Sequence, residues 1–383
     1  MNRSKAFFIN GGAGRVLCSI PALERYAQDS GDEDFVIVCE AGMDFYRGIP
    51  ALQRRAYEVW HKGLFEQHLR DKDIISPEPY RINEYFNQKC SLAQAFDIEI
   101  NNLEEPRELP DPVIKLNKTE KAIGFQTIQE IKSNLNKDKT IIIQPFGRSV
   151  AQVGSYIIDS TSRSFEVENI LSIIDQLRDK YAIIIMSELP LPIPENKNHG
   201  IAVPGEPNLR MWAAMMNSAD HFLGCDSVGQ HMAKALGKTA TVVVGSTVPI
   251  NITYLNDDSF DIIDIGKEKE RIYSPIRMTM DDEIDRINDE VMIMDKKQEK
   301  RIVESCIKVL GKGKQFEGTF TPTQSNVCPV HGVAHNHSHG EASMPPTGLP
   351  MSPTGLPLIQ STQEQTNLPK HTFKTTNLLN SEG

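Results

Sequence analysis

Asp226, Ser227 and His231 stand in the stretch HFLGCDSVGQHMAKALGKTATVVVGSTVP, residues 221–249, at a spacing that could hold an anion. HFLG reads as a strand ending at Gly224, so Asp226, Ser227, Val228 and Gly229 fall at the mouth of the next helix, with His231 one turn inside it. Backbone N–H groups left over in a first helical turn, aided by the positive end of the helix dipole, attract a diphosphate. The next strand runs into GSTVP, where Gly245, Ser246 and Thr247 form a second small-residue loop. If the two strands are neighbours, both loops meet at the carboxyl edge of one sheet, where open parallel sheets collect ligands. Spacing alone fits a plainer arrangement equally well, with Asp226 capping a helix and His231 without a role.

The elements that must position these residues follow from hydrophobic patterning. The chain opens with an apolar strand at 6–9, a turn NGGAG containing Gly12 and Gly14, and a helix carrying Val16, Leu17, Ile20 and Leu23 on one face. A second strand at 35–39 is apolar throughout, as a parallel strand covered on both faces must be. From 60 to 139 the pattern is unclear, and Pro77, Pro79, Pro106, Pro110 and Pro112 mark irregular connections. Beyond 139 strands are expected at 140–144, 182–186, 200–203, 221–224, 239–245 and about 260–265. Helices are expected at about 166–180, 208–217, 228–236, 281–292 and 296–310, the last stopped by Gly311. The expectation is an α/β chain with two Rossmann-type doubly wound domains, 1–138 and 139–316, facing each other across a cleft.

A length of 383 residues suits two such domains and a remainder. The formal net charge of -10 and the lack of a basic block argue against nucleic acid as a partner. Six scattered cysteines with no CxxC pair read as reduced thiols, which fits a cytoplasmic location. No apolar run approaches the roughly 20 residues of a membrane span or the hydrophobic region of a secretion signal. A bound dinucleotide is not expected in the first domain: Gly12 and Gly14 supply two glycines of GxGxxG, but Leu17 stands at the third. Residues 317–383 are rich in Pro, Thr, Ser, Gly and His and repeat PTGLP, so they are expected to be disordered. Cys328, His331, His335, His337 and His339 in this tail could ligate zinc, nickel or copper, or the tail could recruit a protein; no metal is assigned to the site itself.

The 221–249 stretch resembles the nucleotide-sugar segment of the heptosyltransferases and other members of glycosyltransferase family 9. Asp226, Ser227, His231, Ala235, Leu236, Gly237, Gly245, Thr247 and Pro249 match that pattern, while Val228 and Gly229 invert its usual Gly-Leu order. GGAGRVLCSIPAL also resembles the family's opening, with Gly14, Pro21, Ala22 and Leu23 in register. The resemblance implies a GT-B-like fold and a nucleotide-sugar donor, ADP-linked rather than UDP-linked, with no further cofactor required. It implies a saccharide or glycolipid acceptor, and with it peripheral membrane contact. It also implies a loop after the first strand of the second domain that meets the diphosphate. Here that loop contains QPFGRSV and DSTSRSF, whose Arg163 or Arg148 could pair with phosphate or remain a solvated surface charge.

One departure is chemical. The family carries a carboxylate directly after the glycine matched by Gly14, as the base for the acceptor hydroxyl, and this sequence has Arg15. Glu40 and Asp44, after the second strand, are the candidate replacements. Two functions therefore stand: a glycosyltransferase, or a catalytically inactive nucleotide-binding or assembly protein on the same shell. An epimerase on this fold is a third, since fold does not fix function.

Overall fold

The structure is a computed structural model that describes residues 3–154, 156–159, 161–272 and 290–313. The helix expected at about 281–292 lies mostly outside them, and the tail from 317, with its cysteine and histidines, lies wholly outside. Among the described residues no helix is long and apolar enough to cross a membrane.

The first half contains β1 (Lys5–Ile9), α1 (Ala13–Asp29), β2 (Val36–Cys39), β3 (Ala56–Glu58) and β4 (Asp73–Ile75), followed by α2 (Asn83–Phe86), α3 (Leu92–Asn101) and α4 (Lys118–Leu135). The second half contains β5 (Thr140–Gln144), β6 (Val150–Val153), β7 (Tyr156–Asp159), α5 (Val167–Leu177), β8 (Ala182–Ile185), β9 (Ile201–Ala202) and α6 (Leu209–Ser218). It continues through β10 (His221–Cys225), α7 (Val228–Ala235), β11 (Ala240–Val244), α8 (Pro249–Ile252), β12 (Phe260–Asp264), α9 (Ile265–Glu268) and α10 (Lys296–Leu310). The expected strands are present, with 200–203 reduced to Ile201–Ala202.

Both main sheets are parallel throughout. The first has the order β3-β2-β1-β4 and the second β12-β11-β10-β5-β8-β9, while β6 and β7 form a separate antiparallel hairpin. In each sheet the order reverses beside its first strand, between β1 and β4 and between β5 and β10. At such a reversal neighbouring connections leave to opposite faces, and a crevice opens beyond the carboxyl ends of the two strands.

The apolar runs explain the layering. β5, β8, β10 and β11 are buried along their whole length, and their successive residues feed two different cores. Ile142, Ile184, Phe222 and Val242 join a core that also contains Phe7, Leu17 and Leu23 of the first half and Met232 of α7. Ile141, Ile143, Ile183, Ile185, Leu223 and Val243 pack on the opposite face with α5 and α10. Contacts join the two sheets into one compact unit.

Two helices in the unclear segment begin with reciprocal caps: Ser91 with Gln94 at α3, and Asn117 with Glu120 at α4. α4 packs along α6 of the second half. The close approach depends on Gly124, where a Cβ would overlap the carbonyl oxygen of Ala214. Arg210 of α6, 2% exposed, donates to both carboxylate oxygens of Glu120 at 2.6 and 2.7 Å. It also reaches the carbonyls of Asp44 and Lys115 at 2.9 and 2.7 Å.

Gly to Ala inside an exposed helix normally stabilises by about 1 kcal/mol. Gly124→Ala is expected to reverse that sign and destabilise by about 2 kcal/mol or more, because α4 must move off α6. Urea unfolding of the single variant checks this, and a gain in stability would refute the close packing.

Candidate active-site cleft

Four loops of the second half converge at the β5/β10 reversal. β5 hands over to Pro145–Arg148 loop residues, the β6–β7 hairpin returns through 159–164, β10 leads into 226–229, and β11 into 245–247. Asp159 organises the hairpin's exit: its carboxylate accepts from the N–H groups of Thr161 and Ser164 at 2.8 and 2.9 Å and from both their hydroxyls. Ser246 then ties in the β11 loop, its N–H donating to Ser162 O at 3.2 Å and its hydroxyl to Thr161 O at 2.5 Å. Ser246 is thus buried and committed to the scaffold. Arg271 holds the same loop through the carbonyls of Gly245 and Thr247 and is itself paired to Asp264 at 2.5 Å.

Gln144, the last residue of β5, alters the picture at α7. The helix starts after Ser227, and its N-cap side chain makes no capping bond. Instead the Gln144 amide accepts from Gly229 N–H at 2.8 Å and donates to Ser227 Oγ at 3.1 Å. The expectation of free N–H groups at this mouth is corrected for Gly229. Asp226 does not cap the helix either; it accepts from Gln230 Nε2 at 2.9 Å and faces Arg163 Nη1 at 3.8 Å. Burial acts against the charge of Arg163, but Asp226 and Asp159 outweigh it and keep the guanidinium protonated. Arg148 is different: it is exposed and forms no ion pair with a described residue.

The first half comes directly against these loops. A Cβ on Gly12 would lie 3.5 Å from Cδ of Arg148, and one on Gly14 would lie 3.2 Å from Cδ2 of His231 and 3.7 Å from Cα of Val228. The missing side chains let the start of α1 pass over the start of α7. Arg15 turns the other way, donating to Glu78 Oε1 at 3.2 Å and Pro77 O at 3.0 Å, with its guanidinium over the rings of Tyr80 and Phe96. Tyr80 lies within the electrostatic reach of Arg15, Arg163 and Asp226, and burial keeps its hydroxyl protonated. Glu40, exposed, accepts from Gly11 N–H at 2.5 Å and so stands beside the turn that opens α1. Asp44 is paired to Arg47 at 2.6 Å, and its backbone carbonyl is bound by Arg210.

His231 is 6% exposed and wedged between the halves, with Nδ1 2.8 Å from the Tyr254 hydroxyl and 3.6 Å from Cys18 Sγ. Burial depresses its pKa to about 4, only partly offset by Asp226. Burial also pushes the Cys18 thiol far up, so it is no nucleophile. Beside this contact a groove of about 880 Å³ runs between the halves, lined by Ser91, Asp111, Lys234, Tyr254 and Asp257 among others. Lys234 bridges Asp111 and Asp257 across it at 2.9 and 2.6 Å.

Sequence reasoning missed Gln144, Glu78, Tyr80 and Glu99. Burial lifts the Glu99 carboxyl to about 7; the Glu78 N–H that it accepts and the charge of Arg15 pull it down, the charge of Glu78 up. Gln144 was legible as the polar end of an apolar strand. The others sit in or against PEPYR, whose prolines hide any periodicity. Buried Arg15 Nε, Gln230 Oε1, Thr247 Oγ1 and Glu99 Oε2 have no partner among the described residues, so each keeps hydrogen-bonding capacity near the cleft.

No protein-family model matches the sequence, and no curated protein matches it. Solved structures do. The ADP-heptose LPS heptosyltransferase II of E. coli superposes with a TM-score of 0.52 at 12% identity, over 80% of this chain and 98% of the other. A family 9 glycosyltransferase from Veillonella parvula gives a TM-score of 0.52 at 12% identity, over 80% of this chain and 97% of the other. The fold is GT-B-like. At that identity the likeness speaks for the fold, whose cleft is built here from the residues just described.

In the unfolded chain a histidine takes up its proton near its ordinary value of 6.5, whereas His231 and the equally buried His221 resist until about 4. Between those values the unfolded state binds more protons, so stability is expected to fall as pH falls from about 6.5 towards 4. NMR titration of the imidazoles checks this. A folded-state midpoint for His231 near 6.5 would contradict its burial between α1 and α7.

Proposed function

We propose that the chain is a glycosyltransferase that takes a nucleoside diphosphate sugar at the β5/β10 reversal and transfers the sugar to a hydroxyl of a saccharide or glycolipid. The observation that carries this reading is the approach of Arg148 to Gly12, and of Val228 and His231 to Gly14, across one cleft whose second-half loops also hold Arg163 beside Asp226. Gly12 keeps the backbone bare beside Arg148, and the guanidinium groups can bind diphosphate oxygens. Residues 139–316 would form the donor side and 1–138 the acceptor side. The heptosyltransferase named above acts on an ADP-heptose, which favours an ADP-linked donor.

In the transfer, the acceptor oxygen bonds to the anomeric carbon while the bond from that carbon to the diphosphate oxygen breaks. The acceptor proton passes to a carboxylate, and the leaving diphosphate takes up negative charge that Arg148 and Arg163 offset. Glu40 is the best candidate base, because its carboxylate is exposed beside the Gly11 turn and Asp44 is tied to Arg47. Ser227 and Thr247 would orient the diphosphate, while Asp226 and His231 would act by positioning: Asp226 holds Arg163, and His231 holds α1 against α7.

A second reading, a nucleotide-binding protein without turnover, is favoured by Arg15. Its guanidinium is buried, paired to Glu78 and stacked on aromatic rings, so the position after Gly14 offers no base.

Calorimetry and turnover assays with ADP-sugars and UDP-sugars separate the two. For the transferase, Arg148→Ala is expected to weaken donor binding about tenfold. Glu40→Gln should lower turnover about a hundredfold with binding retained. Nucleotide binding without turnover, together with activity appearing in Arg15→Asp, would decide for the second reading. Failure of every nucleotide to bind would sink both.

A further inference from the structure

Tyr80 is only 9% exposed, yet its hydroxyl forms no hydrogen bond with a described residue. The segment that carries it, PEPYR at 77–81, leaves the carboxyl end of β4 beside the turn that leaves β1, and Asn10 Nδ2 joins the two by donating to Ser76 Oγ at 3.1 Å. Pro77 and Pro79 fix the backbone on either side of Glu78, so Tyr80 stands on a stiff stretch of chain. Its ring meets Tyr85 edge-on at 5.5 Å and lies under the Arg15 guanidinium at 5.0 Å. Arg15 is held in turn by Glu78 Oε1 and Pro77 O of the same segment. The arginine after Gly14 thus closes a ring of contacts around Tyr80.

A buried hydroxyl without a partner is costly to keep, which marks the position as one that an incoming acceptor atom can fill. The charges acting on this hydroxyl come from both halves, Arg15 and Glu78 beside it and Arg163 and Asp226 across the cleft. Burial outweighs the two arginines and keeps it an O–H donor. On the far side, Arg163 commits Nε to Thr161 at 3.0 Å and Nη2 to Ser149 at 3.2 Å. Its Nη1 stays 3.8 Å from Asp226, beyond hydrogen-bond length, and keeps donor capacity. Each half therefore brings an uncommitted donor to one electrostatic neighbourhood, and such donors suit an anion.

We infer that Tyr80 receives the second phosphate of a nucleoside diphosphate, its hydroxyl donating to a phosphoryl oxygen that Arg163 Nη1 binds from the opposite half, with Arg15 as the positioning residue that holds the Tyr80 ring. Arg148 meets the first phosphate. The assignment rests on the proposed function and deepens it: one hydroxyl of the first half tells a diphosphate from a monophosphate.

Calorimetry of the full chain with ADP and AMP, and with UDP and UMP, is the test. Tyr80→Phe keeps the ring under Arg15 and removes only the donor, so it is expected to weaken diphosphate binding about tenfold while monophosphate binding changes by less than about twofold. Arg15→Lys keeps a charge beside Glu78 but loses the planar face on the ring, and should shift the same ratio by a smaller factor. The double variant should lose no more than Tyr80→Phe alone, since both substitutions act through one hydroxyl. Circular dichroism confirms that the variants fold. If the wild type binds a diphosphate and Tyr80→Phe binds it equally well, or loses the monophosphate in equal measure, the inference is overturned and the proposed function stands. Equal wild-type affinity for mono- and diphosphate overturns it too, and losses that add in full in the double variant remove the part given to Arg15. A wild type that binds no nucleotide defeats the proposed function and this assignment together.

Discussion

The cleft keeps its width because of one buried guanidinium. Arg210, on α6, satisfies its donors with Glu120 at the start of α4 and with the carbonyls of Asp44 and Lys115, which belong to the first half. A planar fork can serve these partners at once, whereas a lysine ammonium cannot reproduce the bidentate geometry. Removing either member of the pair would strand a charge in the interior, at a cost of several kcal/mol, about 3–5 for such sites. The hydrogen bonds from Arg210 also hold the Glu120 carboxyl below the usual carboxylate range despite its burial. Arg210 thereby ties the loop after β2, which carries Glu40 and Asp44, to α6 of the second half.

Closure on the other side is steric. Gly14 brings α1 onto α7, and the space that its side chain would need is filled by the His231 ring. Asn251 completes the seam by donating to the carbonyls of Tyr85 and Cys90 at 3.0 and 2.9 Å. Loops with hydroxyl and charged side chains are thus pressed together by groups that have nothing to do with charge. His231, for which spacing alone leaves open an anion contact or no role, fills the space between α1 and α7.

Much of the second half was legible because its strands are apolar end to end and each is punctuated by a polar or glycine residue. TIIIQ, HFLGC and ATVVV cannot be mistaken for helix faces at that length. Sheet order was not legible, since sequence carries strands but not their neighbours. The shared crevice was therefore assigned to β10 and β11, which do pair, whereas the order reverses on the other side of β10, next to β5. The segment 60–139 hid two well-capped helices. Pro77 and Pro79 precede them and Pro106, Pro110 and Pro112 lie between them, and the caps Ser91 with Gln94 and Asn117 with Glu120 were the usable signal. Site residues were found where they followed a strand directly; Tyr80, Glu78 and Glu99 meet the cleft through tertiary packing that no local pattern encodes.

The electrostatics of the cleft narrow how an anion could be held there. Gln144 already satisfies Gly229 N–H, so the end of α7 contributes less than an open helix start would. Arg163 is countered by Asp226 and Arg15 by Glu78, which leaves each pair nearly neutral at a distance. Of these three arginines only Arg148 has no described counter-ion, and it lies against Gly12. The specificity of such a cleft for diphosphate over a single anion would then come from geometry: one exposed guanidinium reaches a first phosphate, and the second must approach Arg163 closely enough to compete with Asp226.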